Sequence, residues 1–166
     1  FPSAIPGHGS VIVKINGYRI LCMNVMGSAY MDASSCPFEA VERELNRRSG
    51  EYDLALLDIH AESTGEKKAI AYYFYDRIGV IFGTHTHVQT NDAQILCGRC
   101  GYITDLGMSG PTNGVIGADT QIVIERMRTK IPTFFRVADG DIKAMGALFD
   151  VDTDAGKVRS VTRISF

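Results

Sequence analysis

Two apolar runs constrain this chain more than any other feature: Leu54-Ala55-Leu56-Leu57-Asp58-Ile59 and Ile78-Gly79-Val80-Ile81-Phe82. Each has the length and composition of a buried strand. Between them, Ser63-Thr64-Gly65-Glu66 has the S-x-x-E form that opens helices, in which each side chain satisfies the other residue's free amide. A helix is therefore expected from about Glu66 to Tyr75. Strand, helix and strand in this span make a βαβ unit, two parallel strands joined by a right-handed crossover. The fold class that follows is α/β. In open α/β sheets, ligands gather at the carboxyl ends of the strands.

Histidines stand at both of those ends. His60 closes the first run, and Gly83-Thr84-His85-Thr86-His87-Val88-Gln89-Thr90 follows the second. In extended backbone, residues i and i+2 leave the same face, so His85 and His87 are expected to share one small volume, with Thr86 turned away. His60 would join them from the neighbouring strand. Neutral imidazole is a common ligand for zinc, iron, manganese and related metals. Asp58 lies two residues before His60 and shares its face if the strand continues. Asp58 or Glu62 would then be a ligand or a partner fixing an imidazole tautomer, and the hydroxyls of Ser63, Thr84 and Thr86 could serve the second purpose. A single core histidine is usually structural. The case for a site rests on independent placement of three at one sheet edge. Without a G-x-S-x-G serine, hydrolysis by metal-activated water is the natural chemistry.

The remaining segments frame this centre. The opening, through Ser10, and the stretch from Met26 to Pro37 read as loops, with His8 on the surface. Val11–Ile15 and Tyr18–Val25 flank Asn16-Gly17, the strongest short hairpin signal. Phe38, Val41 and Leu45 form the apolar stripe of a helix closing near Ser49-Gly50. The aromatics Tyr72 to Tyr75 read as core packing, with a stacking surface as the alternative. Cys22 reads as a buried thiol. Gln94–Cys97 and Tyr102–Asp105 are short strands around Cys97-Gly98-Arg99-Cys100. Without a second CxxC, that motif reads as a loop more readily than as a zinc or redox half-site. The glycine-rich 106–117 stretch lacks the pattern and the lysine of a phosphate cradle. A third helix is expected from Asp119 or Thr120 to about Lys130, stopped by Pro132, with Ile122, Val123 and Met127 facing inward. Strands follow over Thr133–Ala138, Ala144–Asp152 and Val158–Ile164. Asp150, Asp152 and Asp154 lack the glycine and distal glutamate of a calcium loop.

At 45% hydrophobic residues and net charge -2, the 166 residues fit one globular domain and present no basic surface for nucleic acid. No apolar run approaches the roughly 20 residues of a membrane-spanning helix. The chain starts at Phe1, which raises the expectation of a piece of a longer protein.

Three blocks carry a family resemblance: Asp58 to Lys67, Gly83 to Thr90, and Tyr102-Ile103-Thr104-Asp105-Leu106-Gly107-Met108-Ser109-Gly110-Pro111. In this order and spacing the chain resembles the YmdB-type branch of the calcineurin-like metallophosphoesterases along its whole length. The resemblance implies half of a layered α/β/β/α sandwich, with a mixed sheet and a C-terminal β-hairpin region. It also implies a metal-dependent phosphodiesterase acting on 2′,3′-cyclic nucleotides in the bacterial cytoplasm. Two divalent ions (iron, manganese or zinc) would be held there, with a bridging hydroxide as nucleophile. His60 and His85 would bind one ion and His87 the other. The family's remaining ligands and its general-acid histidine belong to an N-terminal half whose motifs do not occur here. Residues 1–166 would then be a single domain, the C-terminal portion, weak or inactive alone. The alternative of another class is a catalytically inactive module for binding or for homo-oligomer assembly.

Overall fold

A computed structural model describes residues 6–32 and 35–166. The first five residues of the opening loop, and Ala33 and Ser34 of the loop before Pro37, lie outside the described residues. In chain order the elements are β1 (Ser10–Ile15), β2 (Tyr18–Met26), α1 (Pro37–Arg47), β3 (Leu54–His60), α2 (Thr64–Phe74) and β4 (Val80–Thr84). β5 (Gln94–Leu96), β6 (Cys100–Ile103), β7 (Ser109–Pro111), α3 (Thr120–Thr129), β8 (Ile142–Asp152) and β9 (Lys157–Ser165) follow.

The main sheet has the order β1-β2-β3-β4-β6-β5. β2, β3, β4 and β6 run parallel, and β1 and β5 close the two edges antiparallel. The Asn16-Gly17 hairpin forms as expected, with φ of 50° and 89° at the two turn residues; positive φ at both positions matches the twist of the flanking strands. The expected parallel β3–α2–β4 unit also forms. Its register pairs His60 with Thr84, and Met26 of β2 with His60, so three strand ends meet on one edge.

Alternation along β3 divides its two faces. Ala55, Leu57 and Ile59 are buried, while Leu54, Leu56, Asp58 and His60 are half-buried. The buried set joins Leu21 and Met23 of β2 in one core with Val41 and Leu45 of α1 and Ile70, Ala71 and Phe74 of α2. Each fully buried aliphatic or aromatic side chain stabilises by about 1.5–3 kcal/mol relative to exposure. The second sheet, β7-β8-β9, is antiparallel and packs on β6. A Cβ at Gly101 would stand 2.8 Å from Phe149 and 2.9 Å from Val158, so only glycine admits that approach. The result is helices, a mixed sheet and a second sheet, in layers.

Several local expectations change. Ser63 caps α2 by accepting from the Glu66 amide at 3.2 Å, but the Glu66 carboxylate does not reach back. It accepts instead from the Ser28 amide at 2.8 Å and hydroxyl at 2.7 Å. The loop after β2 runs against the helix start, where a Cβ at Gly27 would collide with Ala61 Cβ, and it offers better donors. Of the helical aromatics, Phe74 is buried while Tyr72 and Tyr73 are more than half exposed. Cys22 is half-buried rather than buried. The CxxC is the β5–β6 turn, with Cys97 exposed and Cys100 buried. On α3 only Val123 is buried, and Met127 is 64% exposed rather than inward. That helix stops at Lys130, in the left-handed conformation at φ 61°, before Pro132 is reached. Thr133–Ala138 makes no strand, only a bridge between Val137 and Ala118.

Candidate metal and phosphoester site

Hydrogen bonding fixes the His60 ring. The Asn24 side-chain Nδ2 donates to Asp58 Oδ2 at 2.8 Å, and Thr84 Oγ1 donates to Asp58 Oδ1 at 2.8 Å. A carboxylate only accepts, so the single hydroxyl proton of Thr84 is used there. The 3.0 Å contact between Thr84 Oγ1 and His60 Nδ1 then requires Nδ1 to donate. His60 Nε2 is left with a free lone pair. Asp58 thus shares the face of His60, as the strand alternation predicts, and acts through Thr84.

His85 meets this ring edge to face, with centroids 4.9 Å apart. Its Nδ1 lies 3.2 Å from His60 Nε2, and its Nε2 lies 3.2 Å from Glu62 Oε2. With Nε2–H directed at Glu62, Nδ1 also carries a lone pair. Two basic nitrogens facing each other need a proton or a cation between them. Nitrogens bound to one zinc-type ion at about 2.0–2.1 Å stand about 3.0–3.4 Å apart, so the His60–His85 spacing fits a shared divalent cation. Among the described residues, no three histidine, cysteine or acidic side chains converge as a complete cage.

His87 has a different partner. β4 ends at Thr84, and φ is 107° at His85 and 63° at His87. These values belong to a turn, so strand alternation does not bring His85 and His87 to one face. His87 donates from Nδ1 to the Ile116 carbonyl at 3.0 Å and is exposed, which leaves its Nε2 free. Positive φ at non-glycine residues costs of order 1–3 kcal/mol and persists where surroundings enforce it, often at functional sites.

Sequence reasoning missed what lies under this turn. Lys67 and Asp105 are both fully buried and paired, Nζ to Oδ2, at 2.9 Å. Burial opposes ionisation of Asp105, but Lys67 and the amides of Gly107 and Thr86 outweigh it and hold the carboxyl below its ordinary range. A signal existed. Lys67 falls in the buried stripe of α2 with Ile70, Ala71 and Phe74, where a charge needs a partner. A separate cavity beside β1 and α1, lined by Ser10, Met23, Glu44 and Arg47, includes none of His60, His85 or His87.

The layered sheets have the fold of solved phosphoesterases. A crystal structure described as a novel phosphatase from Mycoplasma pneumoniae aligns with a TM-score of 0.89 at 32% identity, over 96% of this chain and 57% of that one. A hypothetical protein from Thermus thermophilus aligns at 0.90 and 33% identity, over 100% and 64%. The chain belongs to the YmdB-like protein family, whose model matches residues 1–164. It is 36% identical over 164 residues to the 2′,3′-cyclic-nucleotide 2′-phosphodiesterase of Bacillus subtilis, covering 99% of this chain and 62% of that relative. The chain therefore spans about three-fifths of the length of that relative.

Proposed function

We propose that this chain supplies the histidine half of a metal-dependent phosphodiesterase acting on small phosphodiesters of the 2′,3′-cyclic-nucleotide type. The observation that carries this reading is the 3.2 Å approach of His60 Nε2 to His85 Nδ1, with both lone pairs directed by hydrogen bonds on the far side of each ring. His60 and His85 would hold one divalent ion, and His87 Nε2 would serve a second. Such ions supply Lewis acidity, polarising a phosphoryl oxygen and lowering the pKa of water. Asp58, through Thr84, keeps His60 in the ligating tautomer, and Glu62 does the same for His85. The remaining donors and a general acid would come from the portion of the relatives that this chain does not span. The described cysteines are all free, as befits the cytoplasm, and no helix among the described residues is long and apolar enough to cross a membrane.

The test is hydrolysis of a 2′,3′-cyclic nucleotide with manganese or iron. These 166 residues alone should turn over near background, while a form extended to the length of the relatives should be active and lose activity in His85→Ala. Robust turnover by the 166 residues, abolished by His85→Ala, would show that no further half is needed.

A second reading, an assembly module, has one observation in its favour. α3 and the segment after it leave Met127, Ile131, Phe134 and Val137 at least 60% exposed. Sedimentation as a single monomer at high concentration would exclude it.

A further inference from the structure

We propose that the buried Lys67–Asp105 pair is a positioning device that sets the turn carrying His85 and His87, rather than a source of metal ligands. The inference rests on the metal reading above. Asp105 is fully buried, and both of its carboxylate oxygens are engaged by protein donors. Its Oδ2 accepts from Lys67 Nζ at 2.9 Å and from the Thr86 amide at 3.0 Å, and its Oδ1 accepts from the Gly107 amide at 2.9 Å. Thr86 is the residue between the two histidines. One carboxylate thus ties the turn after β4 to the turn after β6.

The surrounding backbone closes the same joint. The Thr90 amide donates to the Asp105 carbonyl at 3.1 Å, and the Leu106 amide donates to the Gly83 carbonyl at 2.9 Å. Gly83 is pressed into the corner: a Cβ there would collide with the Thr104 carbonyl oxygen and stand 2.7 Å from Lys67 Cδ. The lysine stem and the two strand ends therefore leave no slack. At φ of 107° and 63°, His85 and His87 would not hold this shape unaided, and the Thr86 amide is the handle by which it is held.

Stability alone does not account for the pair. Replacing a buried ion pair by apolar residues of similar volume is often neutral or stabilising. What an apolar pair cannot do is accept the Thr86 N–H. The two roles therefore separate in the double variant Lys67→Met/Asp105→Leu. A purely structural pair predicts unchanged imidazoles whenever the variant folds. A positioning pair predicts a folded protein with misdirected histidines.

The experiment is run on the protein and on that double variant. Cooperative unfolding reports the fold, the NMR resonances of the His85 and His87 rings and the Thr86 amide report the turn in the metal-free state, and calorimetric titration with zinc reports affinity. The expected result is cooperative unfolding, displaced ring and amide resonances, and zinc affinity lower by about 10–100-fold, the usual cost of losing the support behind a ligand. Wild-type resonances and affinity in a folded double variant would overturn the proposal. If the double variant does not fold, hydrogen exchange of the Thr86 amide in the wild-type protein decides: protection comparable to that of the β4 amides supports the proposal, and exchange at the rate of an open loop overturns it. Failure of these 166 residues to bind zinc would show that His60 and His85 do not hold an ion without the remaining donors, while the ring resonances would still decide the positioning role.

Discussion

β3 and α3 are both short amphipathic elements, and the molecule treats them in opposite ways. Along β3, Ala55, Leu57 and Ile59 are at most 2% exposed. α3 buries Val123 alone, leaving Ile124 42% and Met127 64% exposed. β3 is held by two parallel neighbours and the helices beneath it. α3 is held largely by its own ends. Asp119 accepts from the amides of Gln121 and Ile122 at 2.9 and 3.0 Å, Lys130 caps the other end, and Arg126 and Arg128 complement the C-terminal dipole. The comparison separates structure held by burial from structure held by local hydrogen bonding. The candidate site sits on the buried side, where two strand ends and a buried ion pair meet.

The largest expected effect tests the buried half. Phe74 is fully buried between α2 and the sheet and packs on Phe38 at 6.4 Å between centroids. Phe74→Ala should cost about 3–5 kcal/mol, read as a fall in the denaturant midpoint at constant slope. A loss below about 1 kcal/mol would mean that the sheet and helices are not closed as a core.

Next in size is the cap of α3. If local hydrogen bonds hold this helix, Asp119→Ala should remove about 1 kcal/mol and loosen the amides of Gln121 and Ile122. Global unfolding should move less than local hydrogen exchange in α3, because the helix contributes one buried side chain to the rest. An equal loss by both measures would show that α3 is cooperative with the sheet, and the contrast with β3 would fail.

The same division explains what was legible in the sequence. Apolar runs and a period-3.6 stripe report burial, so the strands β3 and β4 and helix α1 could be read directly, while the Asn16-Gly17 hairpin and the start of α2 were legible from their turn and cap residues. Asp58 beside His60 was also legible, because β3 stays extended through His60. Patterns fail where burial is not the organising force. Thr133–Ala138 has strand-forming residues but pairs only through Val137, since propensity without a partner strand makes no ladder. β7, three residues inside a glycine-rich stretch, is defined by its pairing with β8 and leaves no local trace. The turn at His85 and His87 escaped for a related reason: positive φ there is imposed by Asp105, distant in sequence, and has no periodicity. Lys67 was visible in principle, as the charged member of an apolar stripe, but its partner was not.

The smallest expected effect tests the exposed half most sharply. Phe134 is 98% exposed, so it has no buried area to lose and no neighbours that would close over a cavity. Phe134→Ala should shift stability by less than about 0.5 kcal/mol, against several kcal/mol for Phe74, although both changes remove the same atoms. The measurement is the pair of denaturant midpoints at two protein concentrations. A concentration-dependent midpoint in the parent that becomes independent in Phe134→Ala would show a second copy covering this segment, because association stabilises by mass action. Equal, concentration-independent midpoints would leave Phe134 free in solution, and the contrast between the two halves would then be a property of the single chain.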